Sequence, residues 1–505
     1  MDRTERFKNE KIGIFLLIVL AAAVRIFFLL HYENMPGNAT DSVVRALRIL
    51  EDPSLLLNFD ANRSMLFNYA IASFMFFWHD PILAPRVFAL IFGVFLVLPY
   101  YGALKILFDR RIAFLSSLVL VFCPLLIVQS GMATADTTYF FFLFAAFYYL
   151  FSYKIVKKRL SALLLSVLSF NIASLLRFEC WIFIPVFFML LWPKGKRMAF
   201  LFLILSLVFP CVWLLLSKIK HHEFLVTFQT AAMTSRKEIA AGTVLYDPRV
   251  FSWLVVLWRS SGASLLIGGL SGIVLAFLMR QKRQLSVFFL VLLLAFTINS
   301  CAARMWHAVR YCIVLVLLLI PYAWFFVDKA LTFLGDRKTL FLLCFLIFPA
   351  VDAWQIARKP DSTMPHAVSL MHDVTRVAQW LKTNVRQNET LIFGADRCDV
   401  HPNYIILRAG IIPLSRCMTV WTNEESYLKN KKTFEQYIWD QRTNYLVLNS
   451  ESYLQKMLNL DLSKKRQNLG DAVFEAAFEE NVPGCGRYII YRISYRESPG
   501  GGGHV

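Results

Sequence analysis

Two aspartates lie next to apolar segments of the chain, where a carboxylate could take part in catalysis. Asp41 ends the sequence PGNATD (36–41), and Asp136 lies in the sequence ADTT (135–138) just before a long aromatic run. A carboxylate can take a proton from a hydroxyl group or bind a divalent cation through hard oxygen ligands. The two aspartates are therefore candidates for a general base and for a Mg²⁺ or Mn²⁺ site. The alternative is that each one caps the helix that follows it.

A set of basic side chains accompanies these acids and suits a phosphate group. Guanidinium groups keep their charge and donate several hydrogen bonds in a plane, which matches phosphate oxygens. Two alternatives would explain single members equally well. An arginine can pair with a nearby acid, as Arg177 can with Glu179. Its side chain can also extend to the lipid headgroups, as for Arg25, Arg86 or Arg259. The set that we consider for the site comprises Arg86, Arg177 with Glu179, Arg304, His307 and Arg310 with Tyr311.

Composition indicates what kind of scaffold carries these residues. The chain has 505 residues, of which 57% are hydrophobic and only 17% are charged. Such values are typical of a multispanning membrane protein and exclude disordered and coiled-coil classes. The net charge is +19, yet residues 357–505 hold 19 basic and 16 acidic residues, so the excess lies in the apolar part. We do not expect nucleic-acid binding, because no basic face or RNA-binding motif accompanies the charge.

About 20 apolar residues are needed to cross a bilayer, and eleven segments approach this requirement. A short basic cluster follows alternate segments, which predicts that these ends and the N-terminus face the cytoplasm. An odd number of spans then places residues 357–505 outside, together with the loops 31–81 and 218–250. The predicted spans are 12–30, 82–104, 112–130, 137–153, 160–176, 179–193, 198–217, 251–279, 285–301, 311–327 and 339–356.

In the C-terminal part the spacing of apolar residues differs from that of the predicted membrane spans, which indicates a separate domain. Residues 371–385 are typical of an amphipathic helix, while 390–393, 445–448 and 488–493 are typical of short strands. Further helices are expected at 402–409, 433–441 and 451–458. The prediction is a mostly α protein of three parts: a membrane domain (1–356), an extracytoplasmic α/β domain (357–497) and a flexible tail (498–505). If the α/β domain is extracytoplasmic, Cys398, Cys417 and Cys485 allow one disulfide.

Over residues 10–327 the chain resembles the GT-C superfamily of multispanning glycosyltransferases, which use sugars linked to lipid phosphates. Bacterial protein mannosyltransferases and aminoarabinose transferases are the members that it resembles. The resemblance rests on short signatures in a fixed order. They are PGNATD at 36–41, APRV at 84–87, ADTT at 135–138, LRFECW at 176–181 and Arg310-Tyr311 with Pro321.

The resemblance implies the roles of the site residues. Asp41 would be the catalytic base, with Asp136 beside it and able to help hold a metal. Arg310 and Arg304 would hold the lipid phosphate, with Arg86 and Tyr311 as further donors. Many members have Asp-Glu in the first loop, whereas Ser42 follows Asp41 here, which puts metal dependence in doubt.

The predicted function is transfer of a sugar from a polyprenyl-phosphate donor to an acceptor outside the cell membrane, with inversion. The acceptor is a protein, a lipid or a glycan. The alternatives are a flippase for lipid-linked glycans and a ligase that moves a whole oligosaccharide. A flippase predicts inverted repeats and polar groups at mid-membrane, but we find no repeat and the charges lie near one side.

Overall fold

The computed structural model of the protein contains two compact units. The first comprises residues 1–31, 56–74 and 85–365, and the second comprises 32–55, 75–84 and 366–505. The structure describes residues 3–32, 35, 37–54, 65–157, 159–240, 251–279, 283–301, 309–333, 374–395, 402–411, 417–421, 442–450, 455, 458–469, 471–482 and 486–495. The expected span 339–356, the helix 433–441 and the tail 498–505 lie outside these residues.

Helices make up the described part of the chain up to residue 333. In chain order they are α1 (Arg3–His31), α2 (Gly37–Glu51), α3 (Leu66–Phe77), α4 (Leu83–Phe95), α5 (Val97–Leu107), α6 (Arg110–Val121), α7 (Pro124–Gly131), α8 (Asp136–Phe151), α9 (Leu160–Leu176), α10 (Phe183–Leu191), α11 (Lys196–His221), α12 (Val226–Ala240), α13 (Ser252–Ser261), α14 (Ala263–Leu278), α15 (Arg283–Cys301) and α16 (Val309–Phe333). A π-helical turn, Ser152–Lys157, extends α8, and a 3₁₀ turn, Phe178–Ile182, precedes α10.

Five of the described helices are long and apolar enough to cross a membrane, and seven spans result if each of two bent pairs counts as one. The predicted spans from 12–30 to 311–327 all coincide with a helix or a helix pair, although three of these helices are shorter than a full span. The predicted total of eleven spans is therefore not confirmed. A mostly helical protein with several apolar helices is confirmed.

Two segments that we predicted as single spans are broken helices. Within 112–130, the axes of α6 and α7 differ by 55°, and Pro124 begins α7. Proline has no N–H to continue the preceding helix, so the chain turns there. Within 251–279, α13 and α14 differ by 119° at Gly262, whose φ of 83° is open to glycine at little cost.

Aromatic side chains fill much of the interior of the first unit. The ring of Phe147 lies 4.6 Å from that of Phe187 and 5.7 Å from that of Phe288, measured between centroids. Helices α14 and α16 pack so closely that a Cβ atom on Gly272 would clash with the carbonyl oxygen of Tyr322. Close packing of this kind is common between membrane helices, where small residues let the backbones approach each other.

The second unit contains α2, two further helices and a mixed sheet. The helices are α17 (Thr375–Asn384) and α18 (Pro402–Ala409), and the strands are β1 (Leu391–Ala395), β2 (Cys417–Trp421), β3 (Tyr445–Asn449), β4 (Arg466–Leu469), β5 (Ala472–Val482) and β6 (Gly486–Tyr495). The strand order is β2-β1-β3-β6-β5-β4. Strand β1 runs parallel to β2 and β3, and the remaining pairs are antiparallel.

The predicted strands at 390–393, 445–448 and 488–493 correspond to β1, β3 and β6, which form the sheet's apolar centre. Strands β2, β4 and β5 were not predicted. The domain boundaries given above remain predictions, and residues 32–55 of the first outer loop group with the C-terminal part. Cys417 begins β2, while Cys398 and Cys485 lie outside the described residues, so the disulfide also stays a prediction.

Candidate active site

Asp136, Arg177 and Glu179 form one ionic cluster in the first unit. Asp136 is the first residue of α8, and Arg177 is the extended residue at which α9 gives way to the 3₁₀ turn that contains Glu179. The Arg177 guanidinium pairs with the Asp136 carboxylate and donates two hydrogen bonds, 2.8 and 3.3 Å long, to the two oxygens of Glu179. One arginine therefore bridges two carboxylates, which leaves the cluster with a net negative charge.

Burial differs sharply across the cluster. The Asp136 side chain is 2% exposed, that of Arg177 is 13% exposed, and that of Glu179 is 34% exposed. A buried carboxylate is costly unless it is paired, so the contact with Arg177 offsets much of the cost of burying Asp136. Asp136 is not the N-cap of α8, because Ala135 occupies that position and no side chain caps the helix.

A small cleft, partly open to its surroundings, lies beside the cluster. The planar rings of Tyr139, Phe140, Phe183 and Phe296 line it together with the three ionic side chains and Val314. Aromatic faces pack well against the C–H faces of a sugar ring, and carboxylates accept hydrogen bonds from its hydroxyl groups. The cleft therefore offers both kinds of surface that a carbohydrate requires. Sequence reasoning missed Phe296, which is distant along the chain and carries no local signal of this role.

Arg86 lies elsewhere in the first unit and contacts backbone carbonyl groups. Its Nε donates to the oxygen of Gly131 at 2.7 Å, and its Nη2 donates to that of Leu29 at 3.3 Å. Gly131 ends α7, so Arg86 satisfies a carbonyl group at a helix terminus that has no partner within its own helix. The residue is 3% exposed, so its side chain does not extend to the headgroups. Its predicted role in phosphate binding remains a prediction.

Arg25 behaves in the same way, although extension to the headgroups was one of our interpretations. The residue is fully buried, and its Nε donates to Ser130 Oγ at 3.1 Å. Its Nη1 donates at 3.3 Å to the carbonyl oxygens of Ala21 and Val121, and Val121 ends α6 at the 55° bend. Arg25 thus holds the broken pair of helices rather than a headgroup.

Asp41 belongs to the second unit and lies within α2, not before it. The helix begins at Gly37, four residues earlier, so Asp41 is not its N-cap. Its Oδ1 accepts a hydrogen bond of 3.3 Å from Nδ2 of Asn403, the second residue of α18. Sequence reasoning missed Asn403, because a lone asparagine at the start of a short helix gives no sign that it meets a residue 362 positions away.

The remaining predicted site residues are only partly described. The backbone of Arg310 and Tyr311 forms the first turn of α16, but their side chains, and the whole of Arg304 and His307, lie outside the described residues. Among the residues that are described, no three His, Cys, Asp or Glu side chains form a group that could hold a metal ion. The described surroundings of Asp136, whose carboxylate pairs with Arg177, do not fit the predicted metal site.

The chain is similar to known proteins in part of its sequence and in its fold. A family described as dolichyl-phosphate-mannose-protein mannosyltransferase matches residues 62–216. No curated protein matches the chain in sequence. In fold, the chain is similar to ArnT from Cupriavidus metallidurans in the apo state, with a TM-score of 0.61 at 12% identity over 95% of this chain and 98% of that one. The chain has the GT-C glycosyltransferase fold.

Two further structures share the GT-C fold with this chain. The same ArnT bound to undecaprenyl phosphate gives a TM-score of 0.61 at 12% identity, again over 95% and 98% of the two chains. The oligosaccharyltransferase of Archaeoglobus fulgidus, in a complex with Zn and sulfate, gives 0.56 at 12% identity over 86% of this chain and 68% of that one. The predicted resemblance is confirmed at the level of the fold. Because the match to ArnT covers nearly the whole chain, it includes the C-terminal region.

Proposed function

We propose that the protein is a membrane glycosyltransferase that moves a sugar from a polyprenyl-phosphate donor to an acceptor on the extracytoplasmic side of the cell membrane. The observation that carries the proposal is the likeness in fold to ArnT over 95% of this chain, together with the undecaprenyl phosphate that ArnT binds. Sidedness is inferred from the basic clusters, which assign the N-terminus to the cytoplasm.

The proposed reaction is a single displacement at the anomeric carbon. A hydroxyl or amide group of the acceptor attacks this carbon and loses its proton to Asp41. The bond between the anomeric carbon and the phosphate oxygen breaks, and its electron pair leaves with the polyprenyl phosphate. Attack from the side opposite the leaving group inverts the configuration. No step in this scheme passes through a metal ion.

Arginines stabilise the leaving group in this scheme. Negative charge on the phosphate grows as the glycosidic bond breaks, so fixed cations stabilise the transition state more than the bound donor. We assign this role to Arg310 and Arg304, with Arg86 and Tyr311 as further donors and His307 in support. The position of Arg310 and Tyr311 in the first turn of α16 is compatible with a site at one end of the helix.

The cluster of Asp136, Arg177 and Glu179 would bind the sugar. Arg177 fixes the orientation of both carboxylates, and Glu179 is the more exposed of the two. A partly exposed carboxylate beside Tyr139 and Phe183 can accept hydrogen bonds from sugar hydroxyl groups while the rings cover the apolar face. The two carboxylates of this cluster would repel a phosphate, which we therefore assign to the arginines.

The proposal is tested with purified protein in liposomes that contain a radiolabelled polyprenyl-phosphate sugar and candidate acceptors. We expect wild-type protein to transfer label to an acceptor, and Asp41→Asn to abolish transfer while lipid-phosphate binding survives. Asp52→Asn is the matched control, because Asp52 is an exposed carboxylate in the same segment. Wild-type turnover in Asp41→Asn would remove the proposed base.

Product mass in the same assay separates the alternatives. Addition of one sugar residue per acceptor supports the proposal. Addition of a whole oligosaccharide would favour a ligase, and the archaeal oligosaccharyltransferase shows that the fold is compatible with such an enzyme. Movement of label across the vesicle without transfer or hydrolysis would favour a flippase.

A further inference from the structure

The contact between Asp41 and Asn403 joins the first outer loop to the C-terminal part of the chain. Both side chains are half-buried, and the Asn403 amide nitrogen lies 3.3 Å from Asp41 Oδ1. An asparagine amide supplies a donor without adding charge. It can therefore hold a carboxylate in one orientation without the positive charge of an arginine or lysine, which would make the carboxylate a weaker base.

Packing of the two helices that carry Asp41 and Asn403 holds these side chains next to each other. Ala39, Val43 and Ala46 belong to the buried face of α2, and Tyr404 and Ile405 of α18 are also buried. Helices α2 and α18 pack against each other within the second unit. Pro402 begins α18 with the fixed φ that suits a first helical residue, which places Asn403 at a defined point of the first turn.

The C-terminal part of the chain in turn fixes α18. Arg408 donates one hydrogen bond to the Tyr404 hydroxyl group at 3.2 Å and another to Thr375 Oγ1 of α17 at 3.1 Å. Helix α18 also contacts β1 and β2 of the sheet. A chain of defined contacts thus leads from the sheet through α18 to the Asp41 carboxylate.

We propose that Asn403 is a positioning residue for Asp41. It holds Oδ1 so that the carboxylate keeps the orientation in which it can take the acceptor's proton, and α18 consequently supports the role of Asp41. This inference depends on the proposed role of Asp41 as the base. It assigns Asn403 no contact with either substrate.

The test compares Asn403→Ala with Asn403→Gln in the full-length protein. Loss of a hydrogen bond to a charged group corresponds to a rate decrease of about 10- to 100-fold, so Asn403→Ala should lower kcat by this factor. The KM for the lipid-linked donor should stay within about threefold, because Asn403 does not contact the donor. Asn403→Gln retains the amide and should recover part of the lost kcat.

Asn384→Ala is the matched control. Asn384 ends α17 in the same unit, is exposed, and donates only locally, to the Trp380 carbonyl group and to Thr383 Oγ1. Its kcat should equal that of wild type. Wild-type kcat in Asn403→Ala, or a loss in Asn403→Ala that Asn403→Gln does not reduce, would overturn the inference. If Asn403→Ala does not fold, Asn403→Asp replaces it and should lower kcat at least as much, because two carboxylates then face each other.

A double-variant experiment separates this inference from the proposed function. In an Asp41→Asn background, which we expect to bind lipid phosphate without transferring sugar, Asn403→Ala should leave the affinity for a polyprenyl phosphate unchanged, since Asn403 acts only through Asp41. A loss of affinity of 10-fold or more would mean that Asn403 acts elsewhere, and the inference would be wrong. Wild-type turnover in the Asp41→Asn single variant would instead refute the base on which both proposals rest.

Discussion

Removal of the Arg177 guanidinium should destabilise the first unit far more than removal of either carboxylate partner. In Arg177→Met the Asp136 side chain, 2% exposed, loses the cation that pairs with it. Breaking a buried pair in this way typically costs about 3–5 kcal/mol. Glu179 also loses its partner, but its side chain is 34% exposed and water can replace the contact. We therefore assign nearly all of the loss to Asp136.

The reverse changes should cost less. Asp136→Asn leaves Arg177 paired with Glu179 and should cost about 1–2 kcal/mol for the lost charge-assisted hydrogen bond. Glu179→Gln should cost less than about 1 kcal/mol, because exposed pairs contribute little. The double variant Arg177→Met/Asp136→Asn has no buried charge at this position. It should be more stable than Arg177→Met alone, and its loss should fall at least about 2 kcal/mol short of the sum of the two single losses.

Equilibrium unfolding in mixed detergent micelles measures these free energies, with wild type and the four variants under one set of conditions. The double-variant cycle isolates the interaction between the two side chains from the separate effect of each substitution. A loss below about 1 kcal/mol in Arg177→Met, or strictly additive losses in the double variant, would refute the reasoning.

Three further predictions concern packing and the donor. Gly272→Ala should lower the free energy of unfolding by at least about 2 kcal/mol, since the added Cβ atom would clash with the Tyr322 carbonyl group. Gly195→Ala should be neutral, because nothing lies within 4 Å of the added atom. Thermal unfolding of the two variants compares these effects. Thr137→Val should cost about 1 kcal/mol through the lost 3.0 Å hydrogen bond to a carbonyl group of α4, measured by the same unfolding experiment. Arg310→Ala should weaken binding of a polyprenyl phosphate by about 10-fold or more in a titration, and unchanged affinity would remove Arg310 from the phosphate site.

Much of the helical scaffold could be predicted from the sequence, because a bilayer requires long apolar runs and these are visible without tertiary information. The predicted spans at 12–30 and 198–217 match α1 and α11 closely for this reason. The breaks near Pro124 and Gly262 change the direction of the chain without interrupting its apolar character. Hydropathy therefore could not separate the bent pairs from continuous spans.

The sheet of the second unit shows a different limit. Strands β1 and β3 are short and buried, so their apolar runs identify them. Strand β5 begins with three buried residues, Ala472–Phe474, and then alternates exposed residues such as Glu475 with half-buried ones, and its pairing with β6 holds it in place. Glutamate has a low preference for strands, so the local sequence argued against the structure that the neighbouring strand imposes.

The candidate site divides in the same way. The pairing of Arg177 with Glu179 was one of our interpretations, because they lie only two positions apart. The contact of Arg177 with Asp136, across 41 residues, and that of Asn403 with Asp41, across 362, depend on how the helices pack. Residue types therefore suggested which side chains do chemistry, but tertiary structure decides which ones meet.

The central claim is that sugar transfer breaks the bond to a lipid phosphate with Asp41 as the base. A single-turnover experiment tests it most directly by counting the polyprenyl phosphate released and the sugar joined to acceptor in the same sample. We predict one released phosphate for each transferred sugar in wild type and in Asp52→Asn, and neither product in Asp41→Asn. Equal amounts of both products in Asp41→Asn, or label that crosses the membrane with its phosphate bond intact in wild type, would contradict it.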